Sequence, residues 1–177
     1  REQRPWVDRK REQLRETARE ADRLEDGGRV RLWGRWYDVE HGRGGRARAW
    51  VAGHRLIITG AGEVARERAI AMFRRSEIER VSRPLLDSWV PVMGVPQPAL
   101  IRYRAMRTRW GSCNHRTRVI TLNTALVRFP VAALEYVIVH ELAHLKHAGH
   151  GKEFWSLVAA AIPDHLERRR RLNTYTM

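Results

Sequence analysis

The stretch Val131-Ala-Ala-Leu-Glu-Tyr-Val-Ile-Val-His-Glu-Leu-Ala-His-Leu-Lys-His-Ala-Gly-His150 dictates the architecture of this 177-residue chain. Eleven of its first fifteen residues are apolar, which predicts a helix over 131–147 that is buried on nearly every side. Polar side chains at the centre of such a helix need partners, because an unpaired buried histidine or glutamate is costly. One shared metal ion would satisfy His140 and His144 together.

The spacing of His140-Glu-Leu-Ala-His144 suits a metal site. Two histidines four residues apart lie one above the other on a helix, so both imidazoles can reach one ion. Glu141 then lies beside the ion, where its carboxylate can take a proton from an activated water. This pattern is typical of zinc hydrolases. We therefore predict one Zn²⁺, or another divalent transition metal, with Glu141 as the catalytic base.

The third ligand has two main candidates, His147 and His150. On a continuous helix His147 would lie about 10 Å from His140 along the axis, which zinc–nitrogen bonds of about 2.1 Å cannot span. Gly149 and Gly151 flank His150 and allow the chain to turn back, with Gly149 predicted to cap the helix. These features favour His150. The alternatives are His147, Glu153 and Glu167.

Four sequence blocks carry a family resemblance. They are Arg109-Trp-Gly-Ser-Cys113, Val119-Ile-Thr-Leu-Asn123, Tyr136-Val-Ile-Val-His-Glu-Leu-Ala-His-Leu145 and His150-Gly-Lys-Glu-Phe-Trp155. In order and spacing the blocks resemble the YgjP-like metallopeptidases, predicted metal-dependent hydrolases related to the SprT-like zinc proteases. The resemblance implies a zincin-like fold and a peptide or protein substrate. It also implies a metal held by His140, His144 and His150, with Glu141 as the catalytic acid and base.

The segment from Arg109 to Cys113 allows two interpretations. In zinc proteases an edge strand beside the metal can pair with an extended substrate. Trp110 would then line the cleft, and Arg109 would meet a substrate carboxylate or the carbonyl oxyanion. In the second interpretation Trp110 belongs to the core, Gly111 makes a bend and Cys113 is a small buried residue. A metal-ligating Cys113 is disfavoured, because three histidines are already at hand.

The remaining pattern predicts an α+β fold in which a small antiparallel sheet packs on the buried HExxH helix. A charged helix over 6–25 lies in an N-terminal segment 1–28, and a single zincin-like domain spans 29–177. Pro84 is expected to kink or restart a helix over 62–93. Strands are predicted at 29–33, 36–41, 46–52, 56–59, 101–108 and 119–122.

Three further side-chain roles follow from their positions. Asn123 is expected to cap a short helix at 124–129. Phe154 and Trp155 are expected to pack the helix after His150 against the core. Asp164 or Glu153 is expected to orient a ligand imidazole, as metal-bound histidines usually require.

The net charge of +14 is concentrated in two segments. Residues 29–60 carry seven basic and two acidic side chains, and residues 99–128 carry seven arginines and no acid. A basic surface with Trp and Tyr nearby is typical of nucleic-acid binders, although exposed strand arginines give the same pattern. The alternative function is therefore a nucleic-acid-associated module with a structural or residual metal site. A fourth protein ligand would favour that alternative, and an open fourth position would favour the hydrolase.

Composition restricts the class of protein further. The length suits one domain with a sizeable core. A single cysteine excludes an internal disulfide and fits a reducing, cytoplasmic compartment. The sequence has no apolar run long enough to cross a membrane. The chain begins at Arg1 rather than at methionine, which leaves open that it is trimmed, and nothing in it favours a particular oligomeric state.

Overall fold

The computed structural model describes residues 22–175 of the chain. These residues contain two small mixed β-sheets and four α-helices. The first sheet has the order β1-β2-β4-β3. Its strands are β1 (Arg29–Leu32), β2 (Arg35–His41), β3 (Arg48–Ala52) and β4 (Arg55–Thr59). β2 and β4 run parallel, and the two other pairs are antiparallel.

The second sheet has the order β5-β7-β6, with β5 and β7 parallel and β6 and β7 antiparallel. Its strands are β5 (Leu100–Arg104), β6 (Gly111–Asn114) and β7 (Val119–Asn123), and a 3₁₀ helix at Thr124–Arg128 follows directly. The α-helices are α1 (Glu63–Met93), α2 (Val131–Ala143), α3 (Lys152–Ala161) and α4 (His165–Thr174).

The first sheet buries one face only. Side chains on a strand point alternately to opposite faces, and in β4 Leu56 and Ile58 are buried. They pack with Ala69 and Ile70 from the first half of α1, and with Val127 of the 3₁₀ helix. This cluster fixes the first sheet against the long helix.

The main core surrounds α2. Leu134, Ile138 and Leu142 are fully buried along this helix, as its apolar sequence predicted. They belong to one cluster with Ile120 and Leu122 of β7 and with the second half of α1. The second sheet and α1 therefore enclose α2, and the histidine motif lies where α2 ends.

The predicted α+β class is confirmed, but the prediction that the small sheet is antiparallel is wrong. The structure has two sheets, and each contains one parallel pair. Alternating burial identifies the covered face of a strand and carries no information on strand direction. A restart of the long helix at Pro84 is also wrong, because α1 continues through this residue. Pro84 is exposed, so water can satisfy the carbonyl group that its missing N–H leaves free.

Most of the predicted N-terminal charged helix lies outside the described residues, and residues 22–25 at its end are not helical. Asp22 instead joins this end of the chain to the domain. Its carboxylate lies 2.7 Å from a guanidinium nitrogen of Arg74 and 3.0 Å from Nε of Arg128. The division of the chain at residues 28 and 29 stays a prediction.

Among the helices of residues 22–175, none combines the length and the apolar character that a membrane crossing requires.

Candidate metal centre

The structure brings His140, His144 and His150 together. One nitrogen from each ring lies within 4.8 Å of the others, and no other such group of ligand side chains occurs in residues 22–175. The Nε2 atoms of His140 and His150 are 3.1 Å apart. The alternative third ligands lie elsewhere: Nδ1 of His147 is 3.4 Å from the Glu153 carboxylate, and Glu167 pairs with Arg171.

The chain reversal that returns His150 to the helix is a plain turn. α2 ends with His144 as its C-terminal cap, and the N–H groups of Lys146 and His147 both donate to the Ala143 carbonyl. The predicted cap at Gly149 is wrong, and Gly149 is not among the residues with a positive φ angle. The short turn alone thus positions His150, without a left-handed glycine.

The histidine rings are oriented by different contacts. Nδ1 of His144 lies 3.1 Å from the His147 carbonyl oxygen, so its Nε2 is free to face the other rings. Nδ1 of His140 is buried and has no hydrogen-bond partner within the described residues. The fully buried Phe154 packs against all three rings, at centroid distances of 5.0, 4.7 and 4.7 Å, as predicted for a core residue.

The prediction that Asp164 or Glu153 orients a ligand imidazole is wrong. Asp164 accepts a hydrogen bond from Nε of Arg168, one turn further along α4. Glu153 is exposed and contacts His147 instead. A backbone carbonyl contact at His144 and aromatic contacts with Phe154 take the place of a carboxylate here.

The electrostatics of the cluster favour neutral imidazoles at His140 and His144. Burial, together with the neighbouring His144, His150 and Arg169, lowers the pKa of His140 from 6.5 to about 3. Burial also lowers the pKa of His144, partly offset by its contact with the His147 carbonyl. Neutral imidazole is the form that ligates a metal ion, so these side chains are ready to bind one at neutral pH.

Glu141 is 5% exposed and lies on the cleft side of α2. Burial raises its pKa to about 8, and the positive charge of Arg109 opposes that rise. A divalent cation bound by the adjacent histidines would lower the pKa of Glu141 again, because a nearby opposite charge favours the ionised form. The carboxylate is therefore suited to exchange a proton near neutral pH.

Strand β6 forms an edge of the second sheet and packs against α2. Gly111 begins this strand, so the predicted bend is wrong. A Cβ atom at position 111 would lie 2.6 Å from Oε1 of Glu141 and 2.8 Å from Cγ1 of Val137. The missing side chain is what lets the edge strand approach the carboxylate. Cys113 on the same strand is half-buried. Burial, and to a smaller extent the negative charge of Glu141, raises the pKa of its thiol to about 11.

A cleft of about 260 Å³ opens beside the cluster. Trp110 lines it and also packs edge-on against Phe129, with ring centroids 5.3 Å apart. Trp110 therefore contacts both the core and the cleft, and its part in substrate binding stays a prediction. The exposed Arg109 lines the same cleft.

Sequence reasoning missed two side chains of this cleft, Tyr136 and Arg169. Tyr136 lies one helical turn before His140, and this spacing was the available signal. Arg169 belongs to the arginine run of α4, and its guanidinium carbon lies 4.9 Å from the ring centre of Trp155. No local pattern distinguishes it from its neighbours, because only the packing of α4 brings it to the cleft.

Asn123 caps the 3₁₀ helix, as predicted, by accepting a hydrogen bond from the Ala125 N–H at 3.0 Å. The same side chain also holds the loop before β6. Its Oδ1 accepts from the Met106 N–H at 3.3 Å, and its Nδ2 donates to the carbonyls of Met106 and Arg109 at 2.9 and 2.8 Å. Asn123 therefore connects the core to the backbone that presents Arg109.

Replacing Asn123 with alanine is expected to lower the free energy of unfolding by about 2–4 kcal/mol, because it strands several buried backbone groups. Urea denaturation measures this change. Asn114→Ala is the matched control, since Asn114 is exposed and water can replace its contacts with the N–H groups of Arg116 and Thr117. Equal stability losses in the two variants would contradict the role given to Asn123.

Both basic segments contain arginines that form ion pairs. In the first sheet, Arg29 pairs with Asp38 and Arg55 with Glu40, at 3.3 and 2.6 Å. These pairs use both acidic side chains of that segment, so its excess of basic over acidic side chains remains. The predicted nucleic-acid contact stays a prediction.

A buried HExxH helix beside the edge strand of a mixed sheet, joined by a third histidine, defines a zincin-like fold of the metallopeptidase type. The chain belongs to the YgjP-like family, metallopeptidase domain, which it matches over residues 1–175. No curated protein sequence matches it.

Two solved structures are similar to this chain. The metallopeptidase zymogen of Pyrococcus abyssi abylysin is 28% identical, with 53% of this chain and 92% of that chain covered and a TM-score of 0.49. The metallopeptidase zymogen of Methanocaldococcus jannaschii jannalysin is 21% identical, with 51% and 91% covered and a TM-score of 0.46.

Proposed function

We propose that this chain is a zinc-dependent peptidase in which His140, His144 and His150 hold the metal and Glu141 acts as general base. One observation carries the proposal: three imidazole nitrogens within 4.8 Å of one another adjoin a buried carboxylate on the wall of a cleft. Ligands about 2.1 Å from a tetrahedral zinc ion are about 3.4 Å apart, so this cluster fits the ion with small adjustments. Cluster and cleft together leave room for a substrate at a fourth position.

In this mechanism the protein side chains position the substrate and move the proton. A bound zinc ion supplies a Lewis acid that makes water more acidic and polarises the substrate carbonyl. Glu141 accepts a proton on its carboxylate as the water attacks the carbonyl carbon. It then delivers that proton to the nitrogen of the leaving amine. Burial of Glu141 keeps competing water away from the carboxylate.

The substrate backbone is proposed to pair with β6. The Asn123 N–H donates to the Trp110 carbonyl at 2.9 Å. In an antiparallel pair such bonded positions alternate, so the backbone groups of Gly111 and Cys113 face away from β7. An extended peptide can add to this free edge, which places its backbone beside Glu141.

The test combines metal analysis with peptide cleavage. Zinc-loaded protein is incubated with a mixture of synthetic peptides, and the products are identified by mass spectrometry. We expect about one zinc per chain and cleavage that disappears after chelation and returns with zinc. A nucleic-acid-associated module would instead hold its metal without cleaving any peptide, and would bind duplex DNA with an affinity that falls steeply with salt.

The two finer assignments, zinc as the native metal and a cytoplasmic location, belong to this proposal. Three imidazole ligands suit zinc well. The single cysteine, which stays a thiol because of its raised pKa, fits a reducing compartment.

Gly111→Ala is expected to lower peptidase activity by about 10²-fold while the metal stays bound. The new Cβ would lie 2.6 Å from Oε1 and 2.9 Å from Cγ of Glu141, so the buried carboxylate must move, and displacements of about 1 Å can have this effect on rate. Steady-state kinetics and elemental analysis measure the two properties. Gly149→Ala is the control, because a Cβ there meets no atom within 4 Å. Unchanged kinetics in Gly111→Ala would show that the carboxylate tolerates the displacement.

A further inference from the structure

The charges on the cleft wall are unbalanced. Among the residues that line it, Glu141 is the single carboxylate, whereas Arg109 and Arg169 contribute two guanidinium groups from separate parts of the chain. Arg109 comes from the loop before β6, and Arg169 comes from α4. The proposed mechanism uses neither of them.

Neither arginine has a carboxylate partner among residues 22–175, and their position on the cleft wall sets them apart from the other unpaired arginines of this part of the chain. On α4, Arg168 pairs with Glu135 and Asp164, and Arg171 pairs with Glu167. Arg169 lies between these paired residues and instead places its guanidinium over Trp155. Stacking on an aromatic face holds a guanidinium in place without neutralising its charge.

Arg109 is held from the backbone. The buried Asn123 donates a hydrogen bond to the Arg109 carbonyl at 2.8 Å, which fixes the point from which the side chain extends. Arg109 and Arg169 line the same cleft as Glu141 and His140. The two guanidinium groups therefore face the space in which the proposed reaction takes place.

We infer that this cleft binds a carboxylate of the substrate next to the scissile bond, and that Arg109 and Arg169 are the specificity-determining residues that hold it. A guanidinium presents paired N–H donors that match the two oxygens of a carboxylate. The Asn173 side chain lines the same cleft and can donate a further hydrogen bond. The inference rests on the proposed peptidase function.

The carboxylate can come from an Asp or Glu side chain, or from the C-terminus of the peptide. Four versions of one peptide separate these sources. The residue beside the scissile bond is Glu or Gln, and the C-terminus is free or amidated. Hydrogen bonds between charged groups stabilise a complex strongly. We therefore expect kcat/KM to be at least about tenfold higher for the peptide whose carboxylate is bound than for its uncharged counterpart, mainly through a lower KM.

Arg109→Gln and Arg169→Gln are expected to reduce that preference at least about tenfold each. Arg170→Gln is the matched control: it removes the same charge from the next position of α4, outside the residues that line this cleft, and should leave the preference unchanged. A preference for Glu over Gln identifies the side-chain source, and a preference for the free terminus identifies the C-terminal source.

Equal cleavage of all four peptides would overturn the inference, and so would a preference that survives in both arginine variants. A uniform loss of kcat with every peptide would also overturn it, and would indicate that Arg109 or Arg169 stabilises the carbonyl oxyanion.

Calorimetry can measure how the four peptides bind to the zinc-loaded Glu141→Gln variant. This measurement tests the carboxylate site without turnover. Tight, arginine-dependent binding of the carboxylate peptides, with no cleavage by the unmutated protein, would reject the peptidase and retain the carboxylate site. Cleavage by the unmutated protein without such a binding preference would retain the peptidase and reject the carboxylate site.

Discussion

Replacing Glu141 with glutamine is expected to reduce peptide turnover by about 10³-fold while zinc remains bound. The amide has nearly the same shape as the carboxylate, so the buried position keeps its packing, but it cannot accept a proton. General base catalysis contributes about 10²–10⁴-fold in enzymes of known mechanism. Steady-state kinetics on a cleaved peptide and elemental analysis of the variant check the two parts of the prediction.

Glu153→Gln provides the control for this substitution. Glu153 is an exposed carboxylate at the start of α3, outside the three-histidine cluster and the cleft. Its replacement should leave kcat unchanged. Full activity in Glu141→Gln, or equal losses in the two variants, would reject Glu141 as the base.

The same substitution has a predicted effect on the metal-free protein. Burial raises the pKa of Glu141 from 4.5 to about 8. The folded state therefore binds this proton more tightly than the unfolded state, and the resulting stability is fully present below pH 4.5 and is lost as the pH rises through 8. The lowered pKa values of His140 and His144 change stability in the opposite sense below about pH 6.5, so the test is the difference between the two apo proteins. The urea midpoint of the unmutated protein relative to that of Glu141→Gln should fall as the pH rises from 5 to 8. Identical pH profiles would show that the carboxyl group is not desolvated in solution.

Local patterns in the sequence predicted the buried helix and the histidine cluster at its end. The apolar run before His140 is long enough to specify a buried helix, and residues four apart on a helix must share a face. Elimination of His147 by distance favoured His150, but it assumed a helix that continues through His147, whereas α2 ends at Ala143, and the capping argument based on Gly149 was also wrong. The grouping of the three histidines is found because it depends on one helix and one short turn, and their role as metal ligands stays a prediction.

Features that depend on packing between distant elements could not be predicted in this way. The direction of β7 relative to β5 and the approach of Gly111 to Glu141 both arise from tertiary contacts. The position of Arg169 beside the cleft follows from how α4 packs on α2. In each case the residue type is unremarkable in the sequence, and only its surroundings give it a role.

Replacing His150 with alanine is expected to weaken zinc binding by more than about 100-fold and to leave the fold intact. Loss of a group that only supports a ligand already costs about 10–100-fold in metal affinity, and His150 is proposed to be a ligand itself. The side chain is exposed and lies in the turn between α2 and α3, so the core does not depend on it. Competition with a chelator measures the affinity, and circular dichroism checks the fold.

His147→Ala is the matched control, because it removes the same kind of side chain from the same turn. Its imidazole lies beside Glu153 and outside the cluster, while the backbone carbonyl that orients His144 survives the substitution. Zinc affinity should therefore stay within a few-fold of the original protein. Retention of zinc in His150→Ala together with its loss in His147→Ala would reverse the assignment. Since both variants remove an imidazole from the same turn, a difference in zinc affinity between them reports ligation rather than a general change in the turn.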